Sequence, residues 1–162
     1  MSVKPLVSVV IPTYNRPREL AAALASVAGQ RQVPGPVEVL VVNDGGCDVQ
    51  SVTRAAVERG LAVRMLVLPV NCGLPTARNT GIGSARGEYL ALLDDDDVFL
   101  PDHLAAMLAA IDRDRADAAY GICHTSTTRI DPAAPLPAPA SGVIEFDAGL
   151  LEVANFMPAT AS

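Results

Sequence analysis

Four consecutive aspartates, residues 94–97, directly follow the apolar segment 89–93. Like charges this close together repel one another and raise one another's pKa unless an opposite charge compensates them. A cluster of oxygen ligands selects a hard cation such as Mg²⁺ or Mn²⁺, which leaves coordination positions open for phosphate oxygens. The run therefore predicts a site for a metal and a diphosphate, and the alternative is an acidic turn in solvent.

Polar residues follow other apolar runs in the same way. Asp44 precedes two glycines; its carboxylate could bind a nucleotide base or ribose, although Asn-Asp-Gly-Gly is also ordinary turn chemistry. Thr13 and Asn15 could contact the same ligand or cap the following helix. Arg78 lies in the first turn of a predicted helix, which favours a phosphate, or else it pairs with a carboxylate at the surface.

These residues must be positioned by the surrounding secondary structure. The sequence predicts strands at 6–11, 37–42, 63–68, 89–93 and, more weakly, 118–122, with helices at 18–29, 49–59, 76–85 and 102–113. Continuous apolar runs are typical of strands covered on both faces. The alternation predicts right-handed crossovers, a mainly parallel sheet and a three-layer α/β/α architecture.

The carboxyl ends of parallel strands lie along one edge of a sheet, and ligands bind outside that edge. The polar segments that follow the strands should therefore meet there, with Gly81 and Gly83 allowing close backbone approach. Neither a Gly-x-Gly-x-x-Gly fingerprint nor a Gly-Lys phosphate loop is present, which argues against a nicotinamide cofactor and against a P-loop.

Composition excludes several classes of protein. The chain has 162 residues, half of them hydrophobic, and a net charge of −6, which fits one compact domain and not a protein that coats nucleic acid. Lys4 is the only lysine, so mechanisms that need an active-site lysine are excluded. No apolar stretch reaches the roughly 18 residues of a membrane span.

Cysteines and histidines carry no diagnostic spacing. Cys47, Cys72 and Cys123 lie far apart, and an odd number of cysteines without a secretory signal predicts reduced thiols in the cytoplasm. Peripheral association with the inner membrane face is the alternative location. His103 and His124 are interpreted as structural.

Beyond residue 122 the composition changes. Four prolines within 132–140 predict a loop or an extended crossover. Residues 143–146 and 147–154 are candidates for a short strand and a short helix. The end of the chain at Ser162 is expected to be an interruption within a domain.

In this order, the segments resemble the N-terminal half of a family 2 glycosyltransferase of the GT-A fold. The matching stretches are 7–17, 39–45, 71–74, 77–81, 85–97 and 101–104. The resemblance implies a Rossmann-like nucleotide-diphospho-sugar transferase. Residues 1–122 would form the donor-binding region, and 123–162 the beginning of a truncated acceptor-binding region.

The resemblance also assigns site residues. It implies nucleotide-sugar contacts at Pro12, Thr13, Tyr14, Asp44, Asp94 and Asp95, with Asp96 and Asp94 as metal ligands, and the residue types discussed above add Asn15 and Arg78 to the predicted site. Asp44 corresponds to the family's base-binding aspartate. Asn43 and Gly46 depart from the usual aspartate and serine of that motif, and the catalytic base is expected beyond Ser162.

The implied reaction is metal-dependent, inverting transfer of a sugar from a nucleoside diphosphate to a hydroxyl group. A UDP-sugar is the favoured donor, Mn²⁺ or Mg²⁺ the cofactor, and a glycan, lipid or other hydroxyl compound the acceptor. No nucleic acid partner is expected. The alternatives are a truncated or degenerate nucleotide-binding module without catalysis and, less favoured, a phosphatase of the haloacid dehalogenase type.

Overall fold

Strands and helices alternate strictly in the described part of the chain. The computed structural model of the protein describes residues 4–114. Within this range lie β1 (Val7–Thr13), α1 (Pro17–Ala28), β2 (Val37–Asn43), α2 (Gln50–Glu58), β3 (Ala62–Val67), α3 (Leu74–Ser84), β4 (Tyr89–Leu92) and α4 (His103–Asp114). The elements predicted beyond residue 114 lie outside the described residues.

The four strands form one parallel sheet in the order β3-β2-β1-β4. Thr13 pairs with Asn43, and Asn43 pairs with Val67, so β1, β2 and β3 end level with one another. The prediction of an α/β fold with a mainly parallel sheet is confirmed.

Helix boundaries agree with the prediction to within two residues, and proline explains where two helices begin. Pro17 and Pro75 each lie at the first or second position of a helix, where a missing N–H costs nothing and the fixed φ favours the helix. The helix predicted from residue 102 begins at His103, after a turn that contains Pro101. No helix within residues 4–114 is long and apolar enough to cross a membrane.

Helices cover both faces of the sheet. Ala77 of α3 packs against Val10, Leu40 and Val42 on one face. A cavity of about 260 Å³ on the opposite face is lined by α2 together with Val63 and Met65 of β3, and α1 contacts α2. Side chains alternate along a strand, so these two sets of residues lie on opposite faces and the architecture has three layers.

Of the two glycines predicted to allow close backbone approach, Gly81 does so against the sheet. A Cβ at Gly81 would collide with Val10 and lie 3.1 Å from Val42, whereas one at Gly83 would meet nothing within 4 Å. Gly81 therefore allows close packing of α3 on the sheet.

Only the central strands, β1 and β2, are buried on both faces of the sheet. Every residue of β1 is buried, as are six of the seven in β2. Leu90 and Leu92 of β4 are 44% and 47% exposed, so the expectation was wrong for this strand. Within residues 4–114, β4 is an edge strand that pairs with β1 alone, and Leu90 and Leu92 lie on the same face of it.

A buried carboxylate organises the amino-terminal end of the sheet. Glu38 of β2 accepts hydrogen bonds from the Ser8 hydroxyl at 2.7 Å and the Arg86 backbone N–H at 2.7 Å, and pairs with Arg64 at 3.2 Å. The Ser8 hydroxyl in turn accepts the Gly87 N–H at 2.8 Å. These bonds fix the connection between α3 and β4, which determines where β4 begins.

The same contacts set the acidity of Glu38. Burial alone would raise its pKa, but the hydrogen bonds from Ser8, Arg86 and Arg64 and the charge of Arg64 lower it below the usual value of 4.5. The folded protein therefore holds this proton less tightly than the unfolded chain. The resulting stability is present above the ordinary pKa and is lost as the pH falls through the lower pKa of the folded state.

We expect Glu38→Gln to lower the free energy of unfolding at pH 7 by about 1–3 kcal/mol, because an amide N–H₂ would leave buried donors without acceptors. The variant should also lose less stability than the parent below about pH 4.5. Urea denaturation between pH 3 and pH 7 measures both effects. Glu58→Gln makes the same change at an exposed position, and equal stability of the two variants would contradict the role of Glu38.

Candidate functional site

The turns that follow the strands begin at one edge of the sheet. The Asp44 N–H donates to the Thr13 carbonyl at 2.9 Å, and the Leu68 N–H donates to the Asn43 carbonyl at 2.9 Å. The Leu93 N–H donates to the Val10 carbonyl at 3.1 Å. Backbone bonding thus continues past the strand ends and places the predicted polar segments side by side.

Thr13 connects the end of β1 to the aspartate run. Its hydroxyl donates to Asp95 Oδ2 at 2.7 Å, and both residues are buried. The alternative that Thr13 caps α1 is wrong, because the N-cap position of that helix is Arg16 and no side chain caps it. The bond joins residues that lie 82 positions apart in the sequence.

Asn15 connects the same segment to the turn after β2. Its backbone has a left-handed φ of 59°, and its Oδ1 accepts the Cys47 N–H at 2.8 Å. Asn43 closes that turn from within, accepting the Gly46 N–H and donating to the Cys47 carbonyl, each at 2.8 Å. The asparagine that departs from the family pattern therefore has a clear structural role, and Asn15 does not cap α1.

Asp44 fixes the loop between β3 and α3. It is 4% exposed, and its two carboxylate oxygens accept the backbone N–H groups of Cys72 at 2.8 Å and Gly73 at 2.9 Å. Each oxygen accepts one of these bonds and keeps a second lone pair. Asp44 thus positions the loop at the sheet edge and retains capacity to accept a bond from a ligand.

Arg78 and Asp94 form an ion pair with a 2.6 Å separation between Nη2 and Oδ1. Arg78 therefore pairs with a carboxylate, which was one of the two predictions for this residue, and that carboxylate belongs to the aspartate run. Arg78 Nε is buried and donates no hydrogen bond within the described residues. An unsatisfied donor beside a carboxylate fits a ribose hydroxyl or phosphate oxygen as its acceptor.

The aspartates form a turn in which the Asp97 N–H donates to the Asp94 carbonyl at 3.1 Å. Arg16 Nη1 lies 2.7 Å from Asp96 Oδ2 and 3.3 Å from Asp95 Oδ1. Arg16 is not among the site residues that the sequence predicts. Its position in the segment after β1, at the same edge as four carboxylates, was the signal that could have identified it.

Burial and neighbouring charges both shift the pKa values of the residues in this turn. Burial raises the pKa of Asp95, opposed by the Thr13 hydrogen bond and the charge of Arg16. Burial also raises the pKa of Asp97, and the charges of Asp96 and Asp94 raise it further. The aspartates raise the pKa of the Arg16 guanidinium. Mutual repulsion was predicted from the sequence, whereas the larger contribution of burial was not.

The donor set suits a cation that takes few protein ligands. No group of three or more histidine, cysteine, aspartate or glutamate side chains within residues 4–114 converges on a cation site. The side chain of Asp96 is 32% exposed and that of Asp94 13%. Mg²⁺ and Mn²⁺ bind through one or two carboxylates together with diphosphate oxygens, so these residues fit such an ion.

Other predicted residues have simpler surroundings. Pro12 is buried within β1, and Tyr14 is 45% exposed beside Thr13. The His103 ring stacks on Phe99 with centroids 4.3 Å apart, and burial lowers its pKa, in agreement with a structural role. A groove of about 280 Å³ between α1 and α2 is lined mostly by alanines and includes no predicted site residue.

Gly45 permits the close approach of the loop that Asp44 holds. Its φ is +71°, and a Cβ there would lie 2.6 Å from the Asn71 backbone nitrogen. We expect Gly45→Ala to lower the free energy of unfolding by more than the roughly 1–2 kcal/mol that a left-handed conformation costs a residue with a Cβ, because a backbone collision adds to that cost.

Gly60→Ala separates the cost of the left-handed conformation from the cost of the backbone collision. Gly60 has a φ of +95° and nothing within 4 Å of a built Cβ, so its variant carries the conformational cost alone. Thermal unfolding of both variants measures the difference. If Gly45→Ala were no less stable than Gly60→Ala, the tight contact between the turn and the loop would be refuted.

Sequence comparison finds similarity to known enzymes over most of the chain. The profile of glycosyl transferase family 2 matches residues 8–142. The chain is 40% identical over 106 residues to the uncharacterized glycosyltransferase YwdF of Bacillus subtilis, covering 65% of this chain and 38% of that protein. It is 40% identical over 115 residues to the succinoglycan biosynthesis protein ExoO of Rhizobium meliloti, covering 71% and 31% respectively. The chain thus spans about a third of the length of these relatives.

Structure comparison gives the same result. S. aureus TarS 1–349 in complex with UDP-GlcNAc aligns with a TM-score of 0.58 at 32% identity, over 66% of this chain and 31% of that one. The mannosyltransferase PcManGT of Pyrobaculum calidifontis, in complex with GDP-Man and Mn²⁺, aligns with a TM-score of 0.59 at 27% identity, over 68% and 33%. The similarity therefore includes structures that hold nucleotide sugars.

Proposed function

The chain belongs to glycosyltransferase family 2 and has the GT-A fold, and from this premise we propose that it binds a nucleoside diphosphate sugar at the carboxyl edge of its sheet. The observation that carries the proposal is the pairing of Thr13 with Asp95 and of Arg78 with Asp94. These contacts bring the turns after β1 and β4 and the start of α3 together around the aspartates.

The proposed donor site uses the residues along this edge. Asp44 has lone pairs left for a base N–H, and the exposed ring of Tyr14 offers a surface for the base. Asn15 and Thr13 hold the first turn beside it, and Pro12 positions the end of β1. Arg78 Nε and Asp94 are placed to bind a ribose hydroxyl or a phosphate oxygen.

A UDP-sugar is our preferred donor. TarS was crystallised with UDP and with UDP-GlcNAc, whereas PcManGT was crystallised with GDP-Man, so the fold accepts both bases. Identity to TarS is somewhat higher, and this favours uridine for the present chain.

We assign Asp96, with Asp94, to hold Mn²⁺ or Mg²⁺ together with the donor diphosphate. When bound, such an ion offsets the negative charge that develops on the leaving diphosphate. Asp95 has a different role, because its buried carboxylate accepts the Thr13 hydroxyl and fixes the turn that carries its two neighbours.

The proposed reaction is inverting transfer. An acceptor hydroxyl of a glycan, lipid or other compound loses its proton to a general base, and its oxygen attacks the anomeric carbon as the diphosphate leaves. We assign no residue of 4–114 as that base.

Two alternatives to catalysis of this reaction differ in how they stand. Family membership disfavours the phosphatase. An assay of sugar transfer distinguishes the enzyme from a module that binds the nucleotide without catalysis. We also propose a cytoplasmic location, as the number of cysteines predicts.

We expect UDP-sugars to raise the melting temperature of the chain in the presence of Mn²⁺, since a ligand at 100 times its Kd stabilises the folded state by about 2.7 kcal/mol. Asp96→Asn should weaken Mn²⁺-dependent UDP binding at least about tenfold, because a unit charge in contact with a divalent ion is worth several kcal/mol. Thermal shift and calorimetric titrations with UDP-, GDP- and dTDP-sugars measure both effects.

Asp102→Asn is the matched control, since Asp102 is exposed and lies in the turn before α4. Its affinity should equal that of the parent chain. Failure to bind any of these sugars would refute the donor site. Binding that is equal with and without Mn²⁺ would refute the assignment of Asp96.

A further inference from the structure

One guanidinium group lies between two carboxylates of the aspartate turn. A single nitrogen, Arg16 Nη1, is within 2.7 Å of Asp96 Oδ2 and within 3.3 Å of Asp95 Oδ1. Arg16 comes from the segment between β1 and α1, whereas the aspartate turn follows β4. The contact is therefore a tertiary one between two separate parts of the proposed donor site.

The two ion pairs of Arg16, with Asp95 and with Asp96, differ in how easily they can break. The side chain of Asp95 is 8% exposed and is also held by the Thr13 hydroxyl at 2.7 Å. The side chains of Asp96 and Arg16 are 32% and 48% exposed, and exposed pairs are weak. Asp95 is thus a fixed anchor, whereas the bond between Arg16 and Asp96 can break without disturbing the core.

Two guanidinium groups offset part of the negative charge of the turn. Within residues 4–114, Arg78 pairs with Asp94, and Arg16 pairs with Asp95 and Asp96. A divalent cation bound at Asp96 would add two positive charges. It would have to share Asp96 with Arg16, and a dication and a guanidinium on the same carboxylate repel each other.

We propose that Arg16 is a built-in competitor of the divalent cation, which neutralises Asp96 in the metal-free protein and must be released from it when Mn²⁺ or Mg²⁺ binds. This rests on the proposed function, which assigns Asp96 to the metal. Asp95 keeps Arg16 at the site after its release, so the guanidinium pivots over a short distance. Arg16 is accordingly a positioning residue that sets the metal affinity of the site.

The first test measures Mn²⁺ binding to the full 162-residue chain without nucleotide, by calorimetry and by electron paramagnetic resonance of free Mn²⁺. Removing a competing exposed ion pair should tighten binding, so we expect Arg16→Gln to bind Mn²⁺ about two- to fivefold more tightly than the parent. Its melting temperature in EDTA should be lower, because the turn loses its counter-charge. Asp96→Asn should lose the binding.

Arg18→Gln is the control for net charge, since Arg18 is exposed on the first turn of α1 and forms no ion pair within the described residues. Its Mn²⁺ affinity should match that of the parent. Equal or weaker Mn²⁺ binding by Arg16→Gln would overturn the proposal, and so would an increase of the same size in Arg18→Gln.

A second measurement uses the unmodified chain and does not depend on the folding of a variant. Guanidinium NMR signals of Arg16 should show faster rotation and faster hydrogen exchange when Mg²⁺ is added, while those of Arg18 stay unchanged. An Arg16 signal that does not respond to saturating Mg²⁺ would overturn the proposal.

Parallel UDP titrations separate this inference from the proposed function. Intact Mn²⁺-dependent UDP binding with no effect of Arg16→Gln on Mn²⁺ affinity refutes the competition alone. Tighter Mn²⁺ binding by Arg16→Gln, with no nucleotide sugar bound by any chain, refutes the donor site alone. Absence of Mn²⁺ binding to the parent chain, with and without UDP, refutes the competition and the assignment of Asp96 to the metal, and it refutes the donor site as well only if no nucleotide sugar binds.

Discussion

The hydrogen bond from Thr13 to Asp95 is the contact on which the candidate site depends. Four adjacent carboxylates would repel one another in an isolated turn. Here Asp95 is buried against a hydroxyl at the end of β1, Arg78 of α3 pairs with Asp94, and Arg16 from the segment after β1 pairs with Asp95 and Asp96. The turn is therefore held by elements from distant parts of the chain, and its geometry follows from the register of the sheet.

Buried carboxylates at the two ends of the sheet have different surroundings. At the amino end, Glu38 is enclosed by hydrogen bonds that stabilise its ionised form, and its function is to fix the chain. At the carboxyl end, the pKa values of Asp95 and Asp97 are raised, and Arg78 Nε has no acceptor within residues 4–114. Incomplete satisfaction of polar groups is typical of a site that receives a ligand.

Periodicity and turn chemistry predicted every helix and strand that the structure describes, because alternation of apolar runs and amphipathic segments determines the layers directly. They also predicted which segments meet at the carboxyl edge of the sheet. They could not predict that the side chains of Thr13 and Asn15 form hydrogen bonds with other turns and do not cap α1. Nor could they predict that Asp44 accepts hydrogen bonds from the backbone at 72–73, or that Arg16 pairs with Asp96. These are contacts between residues far apart in sequence, and local pattern carries no information about them.

The strand order has a consequence for how the chain assembles on the ribosome. β3 joins one side of the sheet and β4 the other, beside β1, so the edge of β1 stays open until about residue 92 has been synthesised. Only then can Asp95 reach Thr13, 82 residues earlier. An unpaired strand edge is prone to pairing with other chains, and contacts of high sequence separation form slowly. The nascent polypeptide is thus most vulnerable to misassociation just before its aspartates emerge.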